Sequence, residues 1–182
     1  MNQVVTLIGY RGTGKSTLAP MLARALGWTH VDSDIVIETT TGRTIAEIFA
    51  DSGEPAFRRM ERETIADLLK NTQQVLSVGG GAILNADTRK QLRQAGPVVW
   101  LTAEIDTILK RINNDQMTQQ RRPNLTQHAS QRDEITAVLS ARSELYEEAA
   151  TFVVPTDRRE PAAICDAILN ELAGSAKHGD SP

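Results

Sequence analysis

Gly9-Tyr10-Arg11-Gly12-Thr13-Gly14-Lys15-Ser16 spells G-x-x-x-x-G-K-S. It follows the apolar run Val4-Val5-Thr6-Leu7-Ile8 at once and leads into Thr17-Leu18-Ala19, with Leu18, Met21, Leu22, Ala25 and Leu26 at helical spacing. Strand, glycine loop and helix in that order are the context of a phosphate-binding P-loop. The glycines let backbone N–H groups turn inward around a polyphosphate. The new helix adds its unpaired N-terminal donors and the positive end of its dipole. Gly12, Thr13, Gly14, Lys15, Ser16 and Thr17 are therefore the expected nucleotide contacts. Lys15 is placed to reach the β and γ phosphates, and the Ser16 hydroxyl to hold Mg²⁺.

Outward from that loop, composition narrows the partners. A chain of 182 residues with 40% apolar content can bury one core and is short for two ordinary domains. One domain over residues 1–173 is expected, with a flexible tail at 174–182. A formal charge of −3 argues against a nucleic-acid or anionic-membrane surface and leaves anion recognition to locally placed arginines. Cys165, the single cysteine, sits among Ala162, Ala163, Ile164 and Ile168 and reads as helix core. Met1-Asn2-Gln3 passes straight into a strand without a basic leader, and nowhere do eighteen apolar residues run together. A cytoplasmic protein, monomeric and without membrane or nucleic-acid partner, is the expectation.

Downstream, short apolar strands alternate with helical patterns. Helix 1 spans about 15–26 and ends at Gly27, with Pro20 inside it expected to kink it. Residues 29–34 read as a second strand ending in two acids. Helices follow over 35–41, 44–50 with Thr44 and Glu47 as a capping box, and 54–70 with Pro55 in its first turn. Val75-Leu76-Ser77-Val78 is a strand running into Gly79-Gly80-Gly81. A helix from Asn85 to Gln94, a strand at 98–101 and a helix over 104–112 come next. The polar stretch 113–128 lacks periodicity and reads as a lid. A helix over 132–149, a strand at 152–154 and a helix from Pro161 to about Leu172 complete the pattern. The expected fold is α/β: a five-stranded parallel sheet with helices on both faces and ligands at the carboxyl ends of its strands.

A P-loop specifies a nucleotide but no reaction, so the acceptor must be read from other residues. On a strand, Asp32 and Asp34 would point the same way beside the phosphate loop, one holding a magnesium-bound water and the other orienting an acceptor hydroxyl. The plainer alternative for Asp34 is a helix N-cap. Arg59 and Arg62 fall on the polar side of the 54–70 helix, whereas Arg58 borders its apolar stripe with Glu61 one turn on. A carboxylate orienting a guanidinium toward an anion, or a purely structural ion pair, both fit. Arg142 interrupts the stripe Ile135, Val138, Leu139, Tyr146, Ala149, and a charge there needs a partner unless its stem merely snorkels. Gly79-Gly80-Gly81 lets a ligand lie against bare backbone. Arg121 and Arg122 sit in the polar loop, where one can serve as a charge clamp over the phosphates. Arg158 and Arg159 either flank a base or face water. The histidines lack metal-ligand spacing.

Taken together, G-Y-R-G-T-G-K-S-T, the Asp-Ser-Asp at 32–34, F-R-R-M-E from Phe57, V-G-G-G-A from Val78, R-P-N-L at Arg122, S-A-R-S-E-L-Y from Ser140 and D-R-R-E-P from Asp157 resemble the shikimate kinase family, from Met1 to about Leu172. The resemblance implies transfer of the ATP γ-phosphate to the 3-hydroxyl of shikimate, a step toward chorismate and the aromatic amino acids. By position it implies that Asp34 contacts the acceptor hydroxyl, Arg58 and Arg142 bind the carboxylate, and the Gly80 backbone meets a ring hydroxyl. Arg122 becomes the lid arginine and Arg159 flanks adenine. Ser16, with Asp32 through water, serves Mg²⁺. Asn124 departs from the family's pattern, standing where that family often has an apolar residue.

Two rivals share the P-loop. A gluconate or nucleoside-monophosphate kinase would leave Arg58 and Arg142 without a common carboxylate. A GTPase-like switch would need N-K-x-D and D-x-x-G, neither of which is present.

Overall fold

The computed structural model describes residues 4–114 and 130–178. Five parallel strands form one sheet: β1 (Val4–Ile8), β2 (Thr29–Asp32), β3 (Gln74–Ser77), β4 (Val98–Thr102) and β5 (Phe152–Pro155), in the order β2-β3-β1-β4-β5. The register sets Val5 opposite Val75, Leu7 opposite Val99 and Trp100 opposite Val153. β1 is central and buried along its whole length, which is why it reads as an unbroken apolar run with no alternation.

Side chains leave β1 alternately toward two layers. Val5 and Leu7 pack on Leu18 and Leu22 of α1 (Lys15–Leu26) and on Ile164 and Ile168 of α7 (Pro161–His178). Val4 and Ile8 face Ile65 of α3 (Ile45–Leu68), Leu92 of α4 (Ala86–Ala95) and Tyr146 of α6 (Gln131–Ala149). Two smaller clusters extend these layers. Ile37 of α2 (Ser33–Thr41) meets Ile48 and Phe57 of α3, and Tyr10 meets Ile108 and Ile112 of α5 (Ile105–Asn114) with Ile135 and Val138 of α6.

Several boundaries differ from the sequence reading. β2 stops at Asp32, and Asp34 lies in the first turn of α2, because the Asp32 side chain accepts hydrogen bonds from the N–H groups of Asp34 and Ile35 and starts the helix there. α1 runs through Pro20 as one helix. The Thr44/Glu47 capping box is present, and Gly53, at φ 77°, breaks α3 between its two predicted halves. α5 continues to Asn114, so the helix takes the first residues assigned to the lid; the rest of that stretch, with Arg121, Arg122, Pro123 and Asn124, lies outside the described residues. α7 passes Leu172 and Gly174 and ends at His178, so 174–178 belong to a helix where a flexible tail is expected from sequence. Among the described residues no helix is long and apolar enough to cross a membrane.

The strand order places a topological switch at the carboxyl ends of β1 and β3. α1 carries the chain from β1 past β3 to β2, while α4 on the opposite layer carries it from β3 across β1 to β4. Ligands of such sheets sit at that crevice. Its two rims are the glycine loop after β1 and Gly79-Gly80-Gly81 after β3.

Candidate active site

Gly14 caps α1 in the left-handed conformation, φ 101°, which aims the loop's N–H groups and the helix terminus at one concavity. Thr13 fastens the loop through its hydroxyl, which donates to the Tyr10 carbonyl at 2.7 Å. The buried Lys15 ammonium donates to the carbonyls of Gly9 at 2.6 Å and Tyr10 at 3.0 Å, so the loop's cation lies folded over the loop itself. This concavity opens into an outer cleft lined by Gly12 to Leu18, Asp32, Asp34, Arg111, Arg159 and Ile164. The Arg159 guanidinium donates to the Pro155 and Ala163 carbonyls at the cleft's far end.

A second, smaller cavity lies beside the first. Tyr10, Ile45, Phe49 and Phe57 make its apolar walls, and Asp34, Arg58, Glu61, Arg142 and the three glycines its polar ones. Arg58 donates to Glu61 Oε2 at 2.8 Å and to Glu54 Oε1 at 3.1 and 3.0 Å, so the guanidinium is aimed from both sides. It passes directly over Gly81, where any Cβ would collide with it. Arg142 donates to the Gly80 carbonyl at 3.1 Å, and the Tyr146 hydroxyl to the same oxygen at 2.9 Å. The glycine run is thus bare for the sake of the protein as well as any ligand: a Cβ would meet Asp34 and Glu61 at Gly79, the Tyr146 hydroxyl and the Gly9 carbonyl at Gly80, and Arg58 at Gly81.

Electrostatics follow from burial. Burial pushes the Glu61 carboxyl above its usual range, and the neighbouring Arg58 pulls it only part of the way back. Burial also works against the Arg58 charge, but Glu61 and Glu54 together outweigh it and hold that guanidinium above its ordinary value. A pocket lined by the Arg58 and Arg142 guanidiniums and by two carboxylates suits an acid that also carries hydroxyls.

The two cavities share Arg11, Asp34 and Ile45. Asp34 therefore stands where the contents of one meet the contents of the other. The structure brings together Gly12, Thr13, Gly14, Lys15, Ser16, Thr17, Asp32, Asp34 and Arg159 around the cleft, and Arg58, Gly80 and Arg142 with Asp34 around the inner cavity. Arg122 lies outside the described residues, and Arg158 is exposed, 3.9 Å from Glu104. Sequence reasoning missed Arg11 and Arg111. Arg11 occupies a variable position of the motif, which carries no signal of its own. Arg111 donates to the Gly12 carbonyl and to Thr156, and its place one turn after Ile108 on the buried face of α5 marks it only once that face is known.

A parallel sheet with a P-loop after its central strand, an acidic side chain at the junction of two cavities and a separate acceptor pocket define a P-loop small-molecule kinase. Residues 11–173 match the family model described as shikimate kinase. The chain belongs to the shikimate kinase family. A shikimate kinase of Rhodopirellula baltica is 40% identical over 98% of this chain and 95% of its own length, and one of Streptomyces coelicolor is 42% identical over 93% and 95%. Among solved structures, the shikimate kinase of Acinetobacter baumannii in complex with shikimate superposes with a TM-score of 0.88 at 32% identity, covering 96% of this chain and 95% of that one. A gluconokinase of Sinorhizobium meliloti, 16% identical with a TM-score of 0.65 over 97% and 94% of the two chains, shares the fold.

Proposed function

We propose that this chain transfers the γ-phosphate of ATP to the 3-hydroxyl of shikimate, giving shikimate 3-phosphate and ADP. The observation that carries the residue roles is the position of Asp34 in the wall common to the two cavities. ATP occupies the outer cleft, its phosphates in the loop of Gly12 to Thr17 and its base toward Arg159. The shikimate carboxylate lies between Arg58 and Arg142, its ring against Phe49 and Phe57. Because the Gly80 carbonyl already accepts from Arg142 and Tyr146, contact with a ring hydroxyl falls to the Gly80 amide N–H.

In the transfer, the acceptor oxygen bonds to the γ-phosphorus as the bond to the ADP oxygen breaks, and the hydroxyl proton passes to the Asp34 carboxylate. Alignment and charge neutralisation do most of the work in such a step. Lys15 exchanges the carbonyls of Gly9 and Tyr10 for phosphate oxygens. Arg122 adds its charge from the 113–128 stretch. Among the described residues no three His, Cys, Asp or Glu side chains cluster as metal ligands. A hydroxyl and one carboxylate fit Mg²⁺ brought by the nucleotide, which Ser16 would hold directly and Asp32 through water. Bound there, Mg²⁺ neutralises charge on the phosphate oxygens. The reading takes residues 1–173 as one catalytic unit acting as a cytoplasmic monomer, with neither nucleic acid nor membrane as partner.

ADP release from MgATP measured with shikimate, gluconate, a nucleoside monophosphate or no acceptor tests this. Turnover with shikimate alone is expected. Turnover only with another acceptor overturns the assignment of the inner cavity.

A further inference from the structure

Arg11 belongs to the phosphate loop, and its side chain reaches the start of α6. Its guanidinium is buried, 5.7 Å from the centre of the Tyr10 ring, and its Nη2 lies 3.5 Å from Oε1 of Glu134 in the first turn of α6. Both side chains are more than nine-tenths buried. A buried charge needs a countercharge, and removing one partner of such a pair is costly. Here the countercharge comes from the helix that also carries Arg142, two turns further along, and Tyr146, one turn beyond that.

The phosphate loop and the acceptor pocket thus hold the same helix at two places. At its start, Tyr10 packs on Ile135 and Val138 while Arg11 meets Glu134. Further on, Arg142 and Tyr146 hold the Gly80 carbonyl. Arg11 itself lines both cavities. Among the described residues its Nε and Nη2 have no hydrogen-bond partner, so the Glu134 carboxylate is held by charge at 3.5 Å.

We propose that Arg11 is a positioning residue: through Glu134 it fixes α6, and with it the carboxylate-binding guanidinium of Arg142, so that nucleotide in the loop strengthens binding of the acceptor acid. The inference rests on the acceptor reading given above. Coupling between ligand sites is a shared free energy and must be reciprocal, so the acceptor strengthens nucleotide binding by the same factor.

Calorimetric titration of shikimate into the whole protein, with and without saturating MgADP, measures the ratio of the two Kd values. The wild type is expected to show a ratio of about five or more, the lower end of ordinary site-to-site coupling. Arg11→Met and Glu134→Gln are each expected to bring the ratio near one, the double variant to add nothing further, and Arg11→Lys to restore part of it. A structural role alone would lower melting temperature and leave the ratio in place. Should Arg11→Met not fold, Glu134→Gln, which preserves shape, decides alone. A wild-type ratio of one, an unchanged ratio in Glu134→Gln, or additive effects in the double variant overturns the coupling while the acceptor assignment stands. Absence of any shikimate binding to the wild type takes both down.

Discussion

Asp34 and Glu61 approach Gly79 from two different helices, and a Cβ placed on that glycine would lie 2.9 Å from Asp34 Oδ1 and 2.9 Å from Glu61 Oε1. Gly79→Ala is therefore expected to displace both carboxylates and cut kcat/KM for the acceptor by about 10²-fold with little change in Tm. Asp34→Asn keeps the shape and removes the carboxylate proposed to take the hydroxyl proton; kcat should fall by about 10²–10⁴-fold while KM for ATP moves less than about twofold. Equal losses in both constants would show that Asp34 acts on nucleotide binding. Glu61 offers a pH test. Its folded pKa is raised above the ordinary 4.5, so the native state binds more protons than the unfolded state, and stability falls as pH rises from about 4.5 through the raised value. The denaturation midpoint of the wild type relative to Glu61→Gln should decline over that window and then level off; a rise would mean that Arg58 pulls harder than burial pushes. These side chains were largely legible beforehand: the glycine loop by its motif, Arg58 and Arg142 by their place on apolar helix stripes. Arg11 was not, since its burial depends on a partner carboxylate far along the chain.

At the scale of elements, the carboxylates of 32–34 show where local reading fails. Spacing alone cannot distinguish two acids ending a strand from one acid capping a helix that holds the other. The Asp32 cap decides it, and the difference turns Asp34 inward. Asp32→Ala should cost about 1 kcal/mol of stability, read from denaturant unfolding, because α2 loses its cap. Asp32→Asn keeps a good cap and removes the charge, so it should leave stability nearly unchanged and raise the Mg²⁺ requirement for turnover. An unchanged requirement would reduce Asp32 to a structural cap. The end of α7 went unread for the opposite reason: the stretch from Gly174 has no large apolar residue to mark a helix face, yet the helix continues to His178.

For the molecule as a whole, the sheet class and the helices on both its faces followed from continuous apolar strands alternating with helices, whereas the strand order did not, because no local pattern records which strands become neighbours. The phosphate loop's closed form, with Lys15 on its own carbonyls, makes nucleotide binding an exchange of partners. MgADP at about one hundred times its Kd should add about 2.7 kcal/mol to unfolding. That corresponds to a rise of about 5–11 °C in Tm for a chain of this size, read by calorimetry. Lys15→Met should lose most of that shift. The order β2-β3-β1-β4-β5 also bears on how the molecule is made. The central strand leaves the ribosome before the other four strands, yet its partners are residues 74–77 and 98–100. Until residues 74–77 have been synthesised, both hydrogen-bonding edges of this buried strand have nothing native to pair with, and one edge stays open until 98–100 follow. That interval is when a nascent chain is most open to association with its neighbours.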